Sequence, residues 1–473
     1  MKKYLLIVLL SIACIFVTAQ PRLPYFISSG MVLQQQTNAN IWGWDKPGTT
    51  IKITPSWNKQ TVSAKTNTDG KWIAQLPTPT AGGPYEMVIS NGKAVTLNNI
   101  LIGEVWLCTG QSNMEMPMKG FRSQPVIGSN DEILASKNKK IRLFTVPRLS
   151  KTEVIDTVKQ SAWLEASPEA VSNFSATGYF FGKLLYNMLD VPIGLINDSY
   201  GGSTAEAWMN AETLKAYPEI KVPAKTDSIR SQSQTPTTLY NGMIHPLIGF
   251  TIKGCIWYQG ESNKNAPDLY EKLFPAMVKQ WRTEWGQGDF PFYYAQIAPY
   301  DYNQAPPTSF NPKTNSAYIR DAQRKSLRNI PNSGMAVLMD IGEQKSIHPM
   351  RKKEGGERLA VLALANTYGL KGFGHASPLY DSMNVNGSTA NLYFSNARNG
   401  LTAFGKPLSL FELAGADKVF HTAQAIITST GISVSAPQVR QPVAVRYAFK
   451  DFIIGDLYSN EGLPLSSFRT DDW

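Results

Sequence analysis

The sequence predicts an α/β protein: a mainly parallel β-sheet covered by helices on both faces, flanked by β domains at the N- and C-terminal ends. Three observations carry this expectation. Residues 20–99 run as short β-like segments (ANIWGW, TIKITP, KWIAQL, YEMVIS) broken by the turn clusters NTDGK, TAGGP and SNGK. Over residues 101–372 apolar strand-like runs alternate with longer helical patterns, the grammar of a parallel sheet with crossover helices. Residues 373–473 return to β character in TANLYFS, LSLFELAG, AIITST, ISVSA and VAVRYAF.

Taken in order, Lys2 and Lys3 precede an apolar run over residues 5–17, and Val17-Thr18-Ala19 supplies small residues before Gln20. That layout predicts a cleavable export leader over residues 1–19 and a periplasmic or extracellular product. The apolar run is shorter than the roughly 20 residues a membrane helix needs, and no later segment reaches that length. Ser11 makes a poor lipid-attachment context for Cys14. The N-terminal β region, residues 20–100, reads as a small sandwich. In the middle region IGEVWLCTG reads as a strand, followed by the helix SATGYFFGKLLYNM and the strand IGLIND. The strand TIKGCIWYQG, the helix LYEKLFPAMVKQWRTEW and the strand FPFYYAQIA come next. The helix YIRDAQRKSLRNI, the strand GMAVLMDIG and a helical run over 358–366 complete the region. A chain of 473 residues exceeds what one core usually serves, in keeping with several domains.

The formal net charge is +10, with the positive residues scattered rather than gathered into the basic stripe of a nucleic-acid-binding face. Behind the leader only Cys108 and Cys255 remain, each in an apolar stretch, so buried free thiols are expected rather than a disulfide scaffold.

Ligands of open α/β sheets collect beyond the carboxyl ends of the strands, which directs attention to four places. The first strand ends in Thr109-Gly110-Gln111-Ser112-Asn113-Met114, a glycine turn with an exposed hydroxyl. The second ends in Tyr200-Gly201-Gly202-Ser203-Thr204, where paired glycines let backbone amides face a ligand. The third ends in Gln259-Gly260-Glu261-Ser262-Asn263, and the fourth in Ile347-His348-Pro349. Acyl transfer needs a nucleophile, a base and oxyanion donors, and candidates for all three stand at these strand ends.

GQSNM, GGSTAEAW, WYQGESN, and IHP followed by Lys352 and GERLA, together with NGMIHPL and the terminal EGLPLSSFRTDDW, resemble the sialate O-acetylesterase family of the SGNH hydrolases. The resemblance implies an SGNH-type three-layer α/β/α domain, no cofactor or metal, and an acetylated carbohydrate as substrate. Among such sugars 9-O-acetyl sialic acid comes first and acetylated xylan or another hemicellulose second. A carbohydrate-binding protein that has lost its chemistry is the reading from a different class. By position, Ser112 would attack the ester and His348 would take and return its proton. The Ser112 amide, a backbone amide at Gly202 or Gly201, and the Gln259 side chain would hold the oxyanion. With His348 as base, activity is expected to climb through about pH 6 to 7.

The sequence departs from the SGNH pattern at the third triad position. Where relatives carry an aspartate three or two residues before the histidine, this chain has Lys345 and Ser346. Asp340 and Glu343 are the nearest upstream acids, and a backbone carbonyl supporting a dyad is the alternative. Trp208, Glu261 and Asn263 are candidates for substrate contact, with Glu261 better read as bracing its loop by hydrogen bonding. Trp106 and Trp257 read as core, and His245, His375 and His421 as structural. No HExxH, GxGxxG or Walker pattern is present. Nothing in the sequence addresses oligomeric state.

Overall fold

The computed structural model describes residues 19–304 and 315–473; the leader expected over 1–19 lies, apart from Ala19, outside the described residues. The centre of the molecule is strand β1 (Ala94–Gly110), 17 residues long. Its first half pairs antiparallel with Gly82–Ser90 and parallel with Val32–Gln34 in the N-terminal β region. Its second half is the middle of a parallel sheet. The strand crosses position 100 without a break, so the N-terminal β region and the central sheet share a backbone.

The other strands of the central sheet are β2 (Asn138–Thr145), β3 (Leu164–Ala166), β4 (Ile193–Ser199), β5 (Gly254–Tyr258), β6 (Phe292–Ala295) and β7 (Ser333–Ala336). The spatial order is β7-β6-β5-β1-β4-β2-β3, parallel except for the antiparallel edge pair β2/β3. Every residue of β4, β5 and β6 is buried, as a sheet covered on both faces requires.

The turn that carries Ser112 opens into the short helix α1 (Ser112–Glu115). Helix α2 (Ala176–Leu189) is capped by the Ser175 hydroxyl, which accepts from the Gly178 amide. Together with α5 (Lys352–Asn366), α2 covers the face that carries Trp106 and Cys108. The two helices lie close: a Cβ on Gly356 would come within 2.6 Å of the Thr177 carbonyl oxygen. Helices α3 (Pro267–Trp285) and α4 (Ala317–Ser326) cover the opposite face, packing Phe274, Trp281 and Ile319 against Cys255 and Trp257. Cys108 and Cys255 thus belong to opposite faces of the sheet and stay free and buried.

The C-terminal residues form two four-stranded sheets and one two-stranded sheet, and their final segment docks on the central domain. Gln296 Nε2 donates to Ser466 Oγ (2.8 Å), and Arg320 Nε to Ser467 Oγ (3.1 Å). Among the described residues no helix is long and apolar enough to cross a membrane.

Candidate active site

The site grows from the end of β1. Gly110 has φ of +133°, and a Cβ there would lie 2.2 Å from the Tyr258 carbonyl oxygen, so only glycine lets β1 turn this close to β5. The Gln111 amide donates to Tyr258 O (2.9 Å). The Gln111 side-chain oxygen accepts from the amides of Gly260 (3.3 Å) and Ser262 (3.4 Å). This double attachment joins the Ser112 turn to the loop after β5 and leaves Ser112, half-buried, as the first residue of α1.

Asn113 ties the turn to the histidine loop. Its Nδ2 donates to Glu261 Oε1 (2.6 Å) and to the Ile347 carbonyl (3.1 Å), and its Oδ1 accepts from Lys352 Nζ. All three side chains are buried. Burial pushes the Glu261 carboxyl up, opposed by its own loop amide, by Asn113 and by Lys352. Burial likewise lowers Lys352 to about 7, against the pull of Glu261 and Glu343.

His348 sits in the loop before α5, twelve residues beyond the last residue of β7 and not directly at a strand end as the sequence suggested. Burial first, and the Lys352 charge second, lower its pKa to about 4. The imidazole is therefore neutral through pH 6 to 7, and the titration expected there from an ordinary histidine moves to lower pH. Its Nδ1 lies 2.5 Å from Gln124 Oε1. An amide oxygen can only accept, so with Gln124 in this orientation the ring proton belongs on Nδ1 and Nε2 is the basic nitrogen. The two carboxylates considered from sequence are engaged elsewhere. Asp340 forms a bidentate pair with Arg358 (2.7 Å to each oxygen), and Glu343 accepts from the Met350 amide (2.6 Å). Spacing along the chain pointed to these acids; the fold presents the neutral Gln124 instead.

The glycine pair after β4 approaches Ser112: a Cβ on Gly201 would be 3.4 Å from Ser112 Cβ and 2.8 Å from Glu115 Oε2. The two glycines differ in what their amides can do. The Gly201 N–H donates to Glu115 Oε2 (2.8 Å), whose other oxygen accepts from Arg148 Nε (2.5 Å), so this donor is spent. Gly202 follows with φ of +74°. The Gln259 amide also differs from expectation. Its Nε2 donates to the Ser203 carbonyl (3.0 Å) and to Asn263 Oδ1 (2.6 Å), which uses both of its hydrogens and makes it a brace between loops.

Asn263 in turn accepts from the Ala205 amide (2.9 Å) and donates to Glu206 Oε2 (3.0 Å). Glu261 and Asn263 are thus loop-bracing residues, each buried. Trp208 is fully buried against Trp257 (ring centroids 6.1 Å apart) and belongs to the core, correcting its reading as a substrate contact. His245 holds the Ile155 carbonyl (3.0 Å) in a structural contact. Sequence reasoning missed Gln124, Glu115 and Arg148. Only Glu115, inside the segment that follows GQSNM, stood near a visible motif.

A parallel sheet with helices on both faces, with Ser112 at the end of its central strand and the His348 loop tied to the same turn through Asn113, suits a hydrolase of carboxylic esters, and comparison with known proteins places the chain among those acting on carbohydrates. The family described as carbohydrate esterase, sialic acid-specific acetylesterase matches residues 102–362, and the chain belongs to this family. It is similar to the sialate O-acetylesterase of Mus musculus, 31% identical over 414 residues that cover 76% of this chain and 75% of that protein. The Homo sapiens sialate O-acetylesterase is 32% identical over 398 residues, covering 77% and 74% respectively. Among solved structures, a carbohydrate acetylesterase from Xanthomonas citri superposes with a TM-score of 0.86 at 34% identity, over 96% of this chain and 100% of that one.

Proposed function

We propose that the protein removes acetyl groups from O-acetylated sialic acids outside the cytoplasm, with Ser112 as nucleophile and His348 as general base. The observation that carries this reading is the Asn113 link, which holds the Ser112 turn and the Ile347-His348 loop together at the carboxyl end of β1. Ser112 Oγ attacks the acetyl carbonyl while His348 Nε2 accepts its proton. The Ser112 and Gly202 amides face the developing oxyanion. The tetrahedral intermediate collapses with transfer of the proton from His348 to the departing sugar hydroxyl, leaving an acetyl-serine. Water, deprotonated by His348, then attacks this ester; acetate leaves and the proton returns to Ser112.

The curated relatives support sialic acid as the sugar, and the lysine-led apolar leader over residues 1–19 supports export. A second reading, deacetylation of another sugar such as xylan, is favoured by the Xanthomonas neighbour, whose similarity spans nearly the whole chain and whose description is simply carbohydrate acetylesterase. Acetate release from 9-O-acetyl sialic acid and from acetylated xylan oligosaccharides, measured side by side, separates the two. The sialic acid substrate is expected to have the higher kcat/KM; a preference for xylan would replace the first reading by the second. Ser112→Ala is expected to lower kcat on 4-nitrophenyl acetate by roughly 10⁶-fold, and unchanged hydrolysis would remove Ser112 from the mechanism.

A further inference from the structure

We propose that Gln124 is the positioning residue of His348, an amide acceptor standing where a serine hydrolase usually places a carboxylate. The inference rests on His348 being the base. Three contacts from one loop, residues 116–127, converge on the histidine segment. Gln124 Oε1 lies 2.5 Å from Nδ1. The Phe121 ring meets the imidazole edge to face at 5.2 Å between centroids. The Ile127 amide donates to the Met350 carbonyl (2.9 Å) just beyond it. Gln124 is itself held, because Phe121 and Gln124 exchange backbone hydrogen bonds of 3.0 Å in both directions. The same loop leaves directly from α1, so the segment that presents Ser112 also presents the acceptor that orients its base.

The charged groups around His348 suit a neutral partner. Lys352 on α5 faces the imidazole, Glu261 from the loop after β5 and Glu343 from the preceding loop face Lys352, and Asp340 is taken by Arg358. The 116–127 loop contributes Gln124 and Phe121, neither of which titrates. A carboxylate in this position would stabilise the imidazolium by charge; an amide fixes the tautomer and the ring orientation and adds no charge. His348 then remains a neutral base to low pH.

The test compares wild type, Gln124→Ala, Gln124→Glu and His348→Ala in pH profiles of kcat and KM on 4-nitrophenyl acetate, with a thermal melt of each. Gln124→Ala is expected to lower kcat about 10²-fold through misplacement of the ring, with KM little changed. Gln124→Glu puts a carboxylate against Nδ1 and is expected to keep substantial activity while moving the acid limb of the profile up by roughly one unit or more. Full kcat in Gln124→Ala, or an unmoved acid limb in Gln124→Glu, would overturn the proposal. If Gln124→Ala does not fold, the Gln124→Glu profile decides. Activity surviving in His348→Ala would instead remove the base assignment itself, an outcome distinct from a failure of Gln124.

Discussion

His348 and Lys352 illustrate how burial sets chemistry at the level of single residues. Both are cationic types placed where water is scarce, and both lose their protons more easily than in solution, His348 at about 4 and Lys352 at about 7. A base must be unprotonated to act, so activity is expected to be flat from pH 6 to 7 and to fall only as the pH approaches 4. At that pH Lys352 is fully charged and disfavours the imidazolium. Lys352→Met removes this repulsion, so the acid limb is expected to move upward. The same change strands the buried Glu261 and Asn113 and is expected to cost about 3 kcal/mol of stability by urea denaturation. An acid limb at the wild-type position would show that the Lys352 charge does not reach His348. Ser112 and His348 stood out because each lies in a short, distinctive motif, GQSNM and IHP. Gln124 was not, since a glutamine in a loop of mixed composition carries no local sign of its partner.

At the scale of elements, strand ends do the positioning. The β1 turn is the tightest case: Gly110 combines a left-handed φ with a β5 carbonyl where its side chain would go. Gly110→Ala is therefore expected to destabilise the protein by at least about 2 kcal/mol and to reduce kcat, because Ser112 follows two residues later. A urea midpoint unchanged from wild type would contradict this. Most elements of the central domain were readable from apolar runs and helical periodicity, α2 among them, whose expected first residue Ser175 proves to be its cap. Strand β2 was not. Its stretch IRLF is short, interrupted by Arg142 and preceded by Asn138-Lys139-Lys140, and only the pairing with β4 reveals it as a strand. The functional difference between Gly201 and Gly202 was likewise invisible, since it depends on Glu115 arriving from another element.

For the whole molecule, one hydrophobic cluster runs through all three sequence regions. It includes Phe26 and Ile41 near the N-terminal end, Trp257 and Phe274 beneath the central sheet, and Phe411 and Phe468 near the C-terminal end. Phe26 packs on both Phe144 and Phe250, with centroids 6.4 and 5.4 Å apart. Chains of this length commonly unfold domain by domain, but here no region can open without exposing the shared core. Calorimetry is expected to record a single endotherm, and two resolved transitions would refute the shared-core account. The sequence by itself determined what is local: the alternation of strands and helices, the glycine turns, and the short motifs that carry Ser112 and His348. These depend on neighbours a few residues away, which propensity and periodicity report. The tertiary structure alone decided which groups meet. Gln124 reaches His348 across 224 positions, Asn113 reaches Ile347 across 234, and Trp208 is drawn into the core. Such contacts are set by the packing of the whole sheet and its helices, and no short window of sequence contains both partners.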